Sequence, residues 1–121
     1  MEKIPCICAM RELCMALAQL EENLIEEHGV SLNEAMALCS IGTETVTAGL
    51  VASRCGLKPS HASKVIATIE KRGLVMRQLG CNDKRTMCFT LTEEGKARLA
   101  RLKEKGVNVP ETLAPFFKQH T

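Results

Sequence analysis

Three groups of residues have the types and spacings that could do chemistry. The first is Ser60-His61-Ala62-Ser63-Lys64, continued by Thr68 and Lys71. Its hydroxyls, imidazole and ammonium groups suit hydrogen bonds to base edges or phosphates. The second is Asp83-Lys84-Arg85, a carboxylate followed by two cations inside the turn-rich stretch Gly80 to Arg85. The third is a set of seven cysteines: Cys6, Cys8, Cys14, Cys39, Cys55, Cys81 and Cys88. No nucleophile–base pair, glycine-rich phosphate loop or paired-carboxylate motif accompanies them, so the residues point away from an enzyme and from any cofactor.

The cysteines have an odd count and no C-x-x-C pair, which argues against both a disulfide scaffold and a zinc site. The apolar start, Ile4 to Met10, is interrupted by Pro5, lacks a small-residue cleavage site and runs into Arg11-Glu12, so it does not read as a secretory signal. The expectation is a reducing cytoplasm and free thiols. Cys14, Cys39 and Cys55 fall near core spacing, where cysteine is a small hydrophobe. Cys6, Cys8 and Cys81 are expected at the surface and are the candidate redox thiols, although no activating environment is legible and an incidental role is the simpler reading. His61 has no Cys or His at chelating spacing and reads as an exposed side chain, not a metal ligand; His28, beside Gly29, reads as a cation at a helix C-terminus.

Charge is unevenly placed. Residues 1–53 hold two basic against eight acidic side chains, or −6; residues 54–85 hold eight against two, or +6; residues 86–121 hold six against four, or +2. A basic block in mid-chain is the footprint of a site for a polyanion, or else a solvated face that pairs with the acidic half of the same molecule.

These groups need elements to position them. The chain has 121 residues, 45% of them hydrophobic, with no Trp or Tyr and three Phe, which bounds it to a single domain with an aliphatic core. No apolar run approaches the ~18 residues of a membrane span. Met10, Leu13, Leu17, Leu20 and Leu24 form one narrow stripe on a first helix, about Ile7 to His28, suited to a subunit contact. Ser31 and Glu34 form a capping box opening a second helix, Leu32 to about Ile41, and a polar loop follows. Thr47 caps a third, Ala48 to about Cys55. Pro59 opens a fourth that ends near Arg72, with Ala62, Val65, Ile66 and Ile69 facing the core and Ser60, His61, Ser63, Lys64, Ala67, Thr68 and Lys71 facing out. Period-two patterning then predicts strands over Leu74–Leu79 and Thr86–Leu91, Thr92 caps a fifth helix to about Lys105, and the tail with Pro110 and Pro115 predicts one more short helix.

Three helices followed by a two-stranded hairpin is the winged helix-turn-helix order: a mainly α fold with a small β-hairpin wing. In that geometry the fourth helix enters the major groove and the hairpin tip carries Lys84 and Arg85 to the flanking minor groove or backbone. The ordered series Leu50 to Leu57, Ser60 to Val75, Asp83-Lys84-Arg85 and Leu91-Thr92-Glu93-Glu94-Gly95, within about residues 31–102, resembles the MarR (multiple-antibiotic-resistance regulator) family. The resemblance implies a cytoplasmic transcriptional regulator, typically a repressor, that binds double-stranded DNA as a homodimer on a pseudo-palindromic operator. It implies that Asp83 orients Arg85, which contacts DNA, and that an effector pocket for a small molecule often lies beside the dimer junction. The domain then divides into a dimerisation helix at 1–30, a winged helix-turn-helix at 31–91 and C-terminal dimer helices at 92–121. Two alternatives stay open: a winged-helix protein-interaction module without DNA binding, and a thiol-based redox-sensing regulator.

Overall fold

The computed structural model describes residues 1–80, 83 and 85–119. Helix α1 (Pro5–His28) begins two residues ahead of the expected Ile7, because Pro5 suits a first helical position and Ile4 takes the extended N-cap conformation. It ends at Gly29, whose φ of 69° returns its N–H to the Ile25 carbonyl. This rod of about 36 Å buries only Ala16, Leu24 and His28. Helix α2 (Leu32–Ile41) opens on the predicted capping box: Ser31 Oγ accepts the Glu34 N–H at 3.2 Å, and Glu34 Oε1 accepts the Ser31 N–H at 2.7 Å. Helix α3 (Ala48–Cys55) is capped by Thr47, and α4 (Pro59–Lys71) starts on its proline.

The hairpin pairs β2 (Val75–Leu79) with β3 (Met87–Leu91) in a register running from Val75 opposite Leu91 to Leu79 opposite Met87. The sequence reading missed a third strand. Two residues, β1 (Val46–Thr47), pair antiparallel with β3 inside the stretch read as a polar loop, giving sheet order β1-β3-β2. So short a strand has no periodicity to read; the buried Val46 opposite Phe89 holds it in place.

Leu38, Ile41, Val51, Ile66, Ile69 and Leu74 lie at the centre of the core, and Phe89 is its one buried aromatic ring. Helix α5 (Glu93–Lys105) is fixed to this core by its first turn. The Thr92 hydroxyl donates to the Gly73 carbonyl at 2.6 Å, the Thr92 N–H donates to the Leu74 carbonyl at 3.0 Å, and a Cβ on Gly95 would lie 2.0 Å from that same oxygen. The L-T-x-x-G sequence is therefore a packing motif: only glycine lets α5 approach the α4–β2 junction.

After α5 the chain turns back along α1. Asn23 Nδ2 donates to the Asn108 carbonyl at 2.8 Å, and the Asn108 N–H donates to Glu27 Oε2 at 3.1 Å. A 3₁₀ turn (Glu111–Leu113) then buries Leu113, and α6 (Ala114–Gln119) follows. Among the described residues no helix is long and apolar enough to cross a membrane.

Two expectations about single side chains need correction. Cys14 and Cys39 are exposed, because each lies on the face of its helix turned from the core, and only Cys55 is partly covered. His28 lies in the last turn of α1, as the sequence predicts, but is covered. It is 3% exposed, and its Nε2 donates to the Gly106 carbonyl that closes α5.

Candidate nucleic-acid interface

Helix α4 has two faces of different chemistry. Ala62, Val65, Ile66 and Ile69 are buried, while Ser60, His61, Ser63, Lys64, Ala67, Thr68 and Lys71 are exposed, as the sequence predicts. The side chains of Ser60, His61, Ser63, Lys64 and Lys71 make no hydrogen bond or ion pair among the described residues, so their donors and acceptors are open to an external partner. Thr68 differs: its hydroxyl donates to the Lys64 carbonyl at 3.0 Å, leaving the oxygen as an acceptor. At the N-terminus Lys58 supplies no side-chain cap. The first-turn N–H groups of Ser60 and His61 therefore have no capping side chain as acceptor, the condition in which a helix N-terminus favours a phosphate.

The wing is the β2–β3 hairpin, closed at the base of its loop by the Gly80 N–H donating to the Thr86 carbonyl at 2.9 Å. Asp83 Oδ1 accepts the N–H groups of Arg85 at 2.7 Å and Thr86 at 2.9 Å, an Asx-type turn that fixes the backbone leading into β3. The Arg85 N–H first, with Thr86, holds the Asp83 carboxyl below its ordinary range. Asp83 thus acts on the main chain at Arg85 and leaves the exposed guanidinium without an ion pair among the described residues. Lys84 lies outside the described residues, as does Cys81.

The basic block is less uniform than its sum suggests. Arg54 binds Glu44 through both terminal nitrogens, at 2.7 and 3.2 Å, and also donates to the Ser40 carbonyl. Arg77 on β2 forks onto Glu70 of α4 with two 2.7 Å bonds and lies 5.7 Å from the Phe89 ring centroid. Arg72 pairs with Glu34 at 2.8 Å. These three arginines are engaged within the fold, and the sequence reading missed all three pairs, whose partners lie seven to thirty-eight residues apart. Among the described residues of the basic block, the cations left unpaired are Lys58, Lys64, Lys71 and Arg85, which lie on α4, at its start and on the wing.

Of the candidate redox thiols, Cys6 and Cys8 are exposed and free. Cys88, wholly buried on β3, is bonded in a disulfide, so the expectation of free thiols fails there. No C-x-x-C spacing marks this bond in the sequence. Among the described residues no group of three His, Cys, Asp or Glu side chains is placed to hold a metal.

Residues 30–95 match the family model of a winged helix DNA-binding domain. An organic hydroperoxide resistance transcriptional regulator from Bacillus subtilis (strain 168) is 28% identical over 97 residues, covering 79% of this chain; the chain spans 63% of that relative's length, under two thirds. Among solved structures, a MepR-like protein crystallised with pseudoligands superposes with a TM-score of 0.77 at 22% identity, covering 98% of this chain and 82% of its own. A MarR family transcription regulator superposes with a TM-score of 0.70 at 19% identity, over 96% of this chain and 75% of its own.

Proposed function

The chain belongs to the winged helix DNA-binding domain family and has the fold of the MarR regulators, and from that premise we propose a cytoplasmic transcriptional regulator that binds double-stranded DNA as a homodimer. The observation that carries the reading is the division of labour on α4 and the wing. Side chains that could read or grip DNA are left unpaired and exposed, while Arg54, Arg72 and Arg77 are tied into ion pairs. In this reading α4 enters the major groove, where Ser60, His61, Ser63 and Lys64 meet bases or phosphates and Thr68 and Lys71 flank them. Arg85, with Lys84, grips the neighbouring minor groove or backbone, and Asp83 sets the main chain that presents them.

The homodimer rests on α1. Ile7, Met10, Leu13 and Leu17 are each about half exposed or more along one side of the helix, and the stripe becomes buried only at Leu24. An unpaired apolar stripe of this length is unfavourable in water and suits a second copy. Two copies would present two α4 helices to a pseudo-palindrome with half-sites about 10 base pairs apart. Occupying such an operator excludes other proteins from it, which is repression. A small-molecule effector would fit the open cleft at the α1–α5 junction, lined by Glu27, His28, Lys105 and Asn108.

Selection of duplexes from a genomic fragment pool, read by gel shift at several salt concentrations, tests the proposal. Recovery of fragments sharing an inverted repeat supports it. Absence of a shifted species at every salt concentration would favour the protein-interaction module.

A second reading, regulation through thiol oxidation, is favoured by the disulfide bonding of Cys88 on β3 and by the name of the Bacillus subtilis relative. A peroxide-dependent change in duplex affinity, reversed by reductant and abolished in Cys88→Ser, carries that reading. Equal affinity in oxidised and reduced protein removes it.

A further inference from the structure

The C-terminus of α1 is capped from two directions. A helix leaves its last carbonyls without intrahelical partners, and the dipole makes that end favourable for cations. Here the His28 carbonyl accepts from Arg98 Nη1 of α5 at 2.9 Å, and the Gly29 carbonyl accepts from Arg72 Nη2 at the end of α4. Arg72 does more than cap. Its other terminal nitrogen donates to Glu34 Oε2 at 2.8 Å, and Glu34 is the capping-box carboxylate that opens α2. One guanidinium therefore joins the end of α4 to the end of α1 and the start of α2. Gly29 stands at the crossing with φ 69°, and a Cβ there would sit 3.3 Å from Arg98 Nη1 and 3.8 Å from Arg72 Nη2.

The fork geometry matters. A guanidinium directs N–H groups to two fixed acceptors at once, whereas an ammonium supplies one mobile charge. Burial alone would raise the Glu34 carboxyl, but the Ser31 N–H and Arg72 together hold it below its ordinary range, so one arm of the fork meets a carboxylate near neutral pH and the other the Gly29 carbonyl.

The functional consequence follows from what the joined elements carry. Helix α1 bears the exposed apolar stripe, α4 bears the open reading face, and α4 packs chiefly on α2, α3 and β2. We propose that Arg72 is a positioning residue that locks α4 to α1 and so sets the half-site separation accepted by the dimer. The DNA part of this inference rests on the function proposed above.

Two measurements test it separately. In the first, spectroscopic labels are carried by noncanonical amino acids at the exposed Glu21 of α1 and Ala67 of α4, which spares the cysteines. The labelled protein is diluted with unlabelled protein, so only the intrachain distance is read by pulsed dipolar spectroscopy. The wild type should give one narrow distance. Arg72→Ala should roughly double its width, with Arg72→Lys in between. An unchanged width in Arg72→Ala overturns the proposal. Should Arg72→Ala fail to fold, Glu34→Gln serves instead: it removes one arm of the fork and should broaden the distance less, and no broadening overturns the proposal.

In the second, duplexes from the selected pool carry half-sites moved apart or together by single base pairs. Wild-type affinity should fall about tenfold per displaced register, and Arg72→Ala should show under about threefold discrimination with its single half-site affinity intact. Retained tenfold discrimination in Arg72→Ala overturns the proposal. If the wild type binds no duplex, the DNA reading fails, and the distance measurement still decides whether Arg72 locks the helices.

Discussion

Asp83 places a negative charge where a polyanion is expected to dock, and its hydrogen bonds supply the reason. Its carboxylate organises the N–H groups of Arg85 and Thr86, so its value lies in the shape of the turn. Asp83→Ala should weaken duplex binding by roughly threefold to tenfold, whereas charge counting predicts tighter binding; an anisotropy titration of both proteins decides the sign. Gly95 makes a contrasting residue-scale case. A Cβ at 2.0 Å from the Leu74 carbonyl forces α5 off the core, so Gly95→Ala should cost about 2–4 kcal/mol in urea unfolding. Unchanged stability would refute the packing role given to the L-T-x-x-G motif. The motif itself is readable in the sequence. Its cause is not, because the oxygen that excludes a side chain belongs to a residue twenty-one positions earlier.

Elements were legible wherever a local signal marked them. The capping box at Ser31 and Glu34, Thr47, Pro59 and Thr92 placed the starts of α2, α3, α4 and α5 to within a residue. Strand β1 escaped because two residues carry no period, and the Arg54, Arg72 and Arg77 pairs escaped because only the folded chain brings their partners together. Those pairs give the fold a pH dependence. The Glu34, Glu44 and Glu70 carboxyls are all held below their ordinary values. Their contribution is therefore complete above the ordinary carboxylate range and is lost as pH falls through the depressed folded values. Glu44 and Glu70 are solvent-screened, so Glu34 should dominate. The thermal midpoint should drop on acidification, and Glu34→Gln should flatten that drop; an identical pH profile in the variant would contradict the assignment. At α1, Leu13 and Leu17 are 46% and 51% exposed in one chain. Replacing both with Glu should yield a monomer in sedimentation at micromolar concentration with helix content retained. A persistent dimer would move the interface elsewhere.

At the scale of the whole molecule, a net charge of +2 conceals a strong separation: −6 over residues 1–53 and +6 over residues 54–85. Among the described residues, folding pairs three cations of the basic block with carboxylates and leaves Lys58, Lys64, Lys71 and Arg85 unpaired around α4 and the wing. The sequence showed the block; only the fold separates paired arginines from unpaired cations. If these side chains displace counterions from a phosphate backbone, duplex affinity must fall steeply with salt, and each cation removed must lower the slope. The decisive measurement is the dependence of log affinity on log salt for the wild type and Arg85→Ala on a selected duplex. The slope should be strongly negative in the wild type and shallower by about one unit in Arg85→Ala, with both proteins equally folded. Equal slopes, or an affinity indifferent to salt, would contradict the assignment of α4 and the wing as a DNA-binding surface.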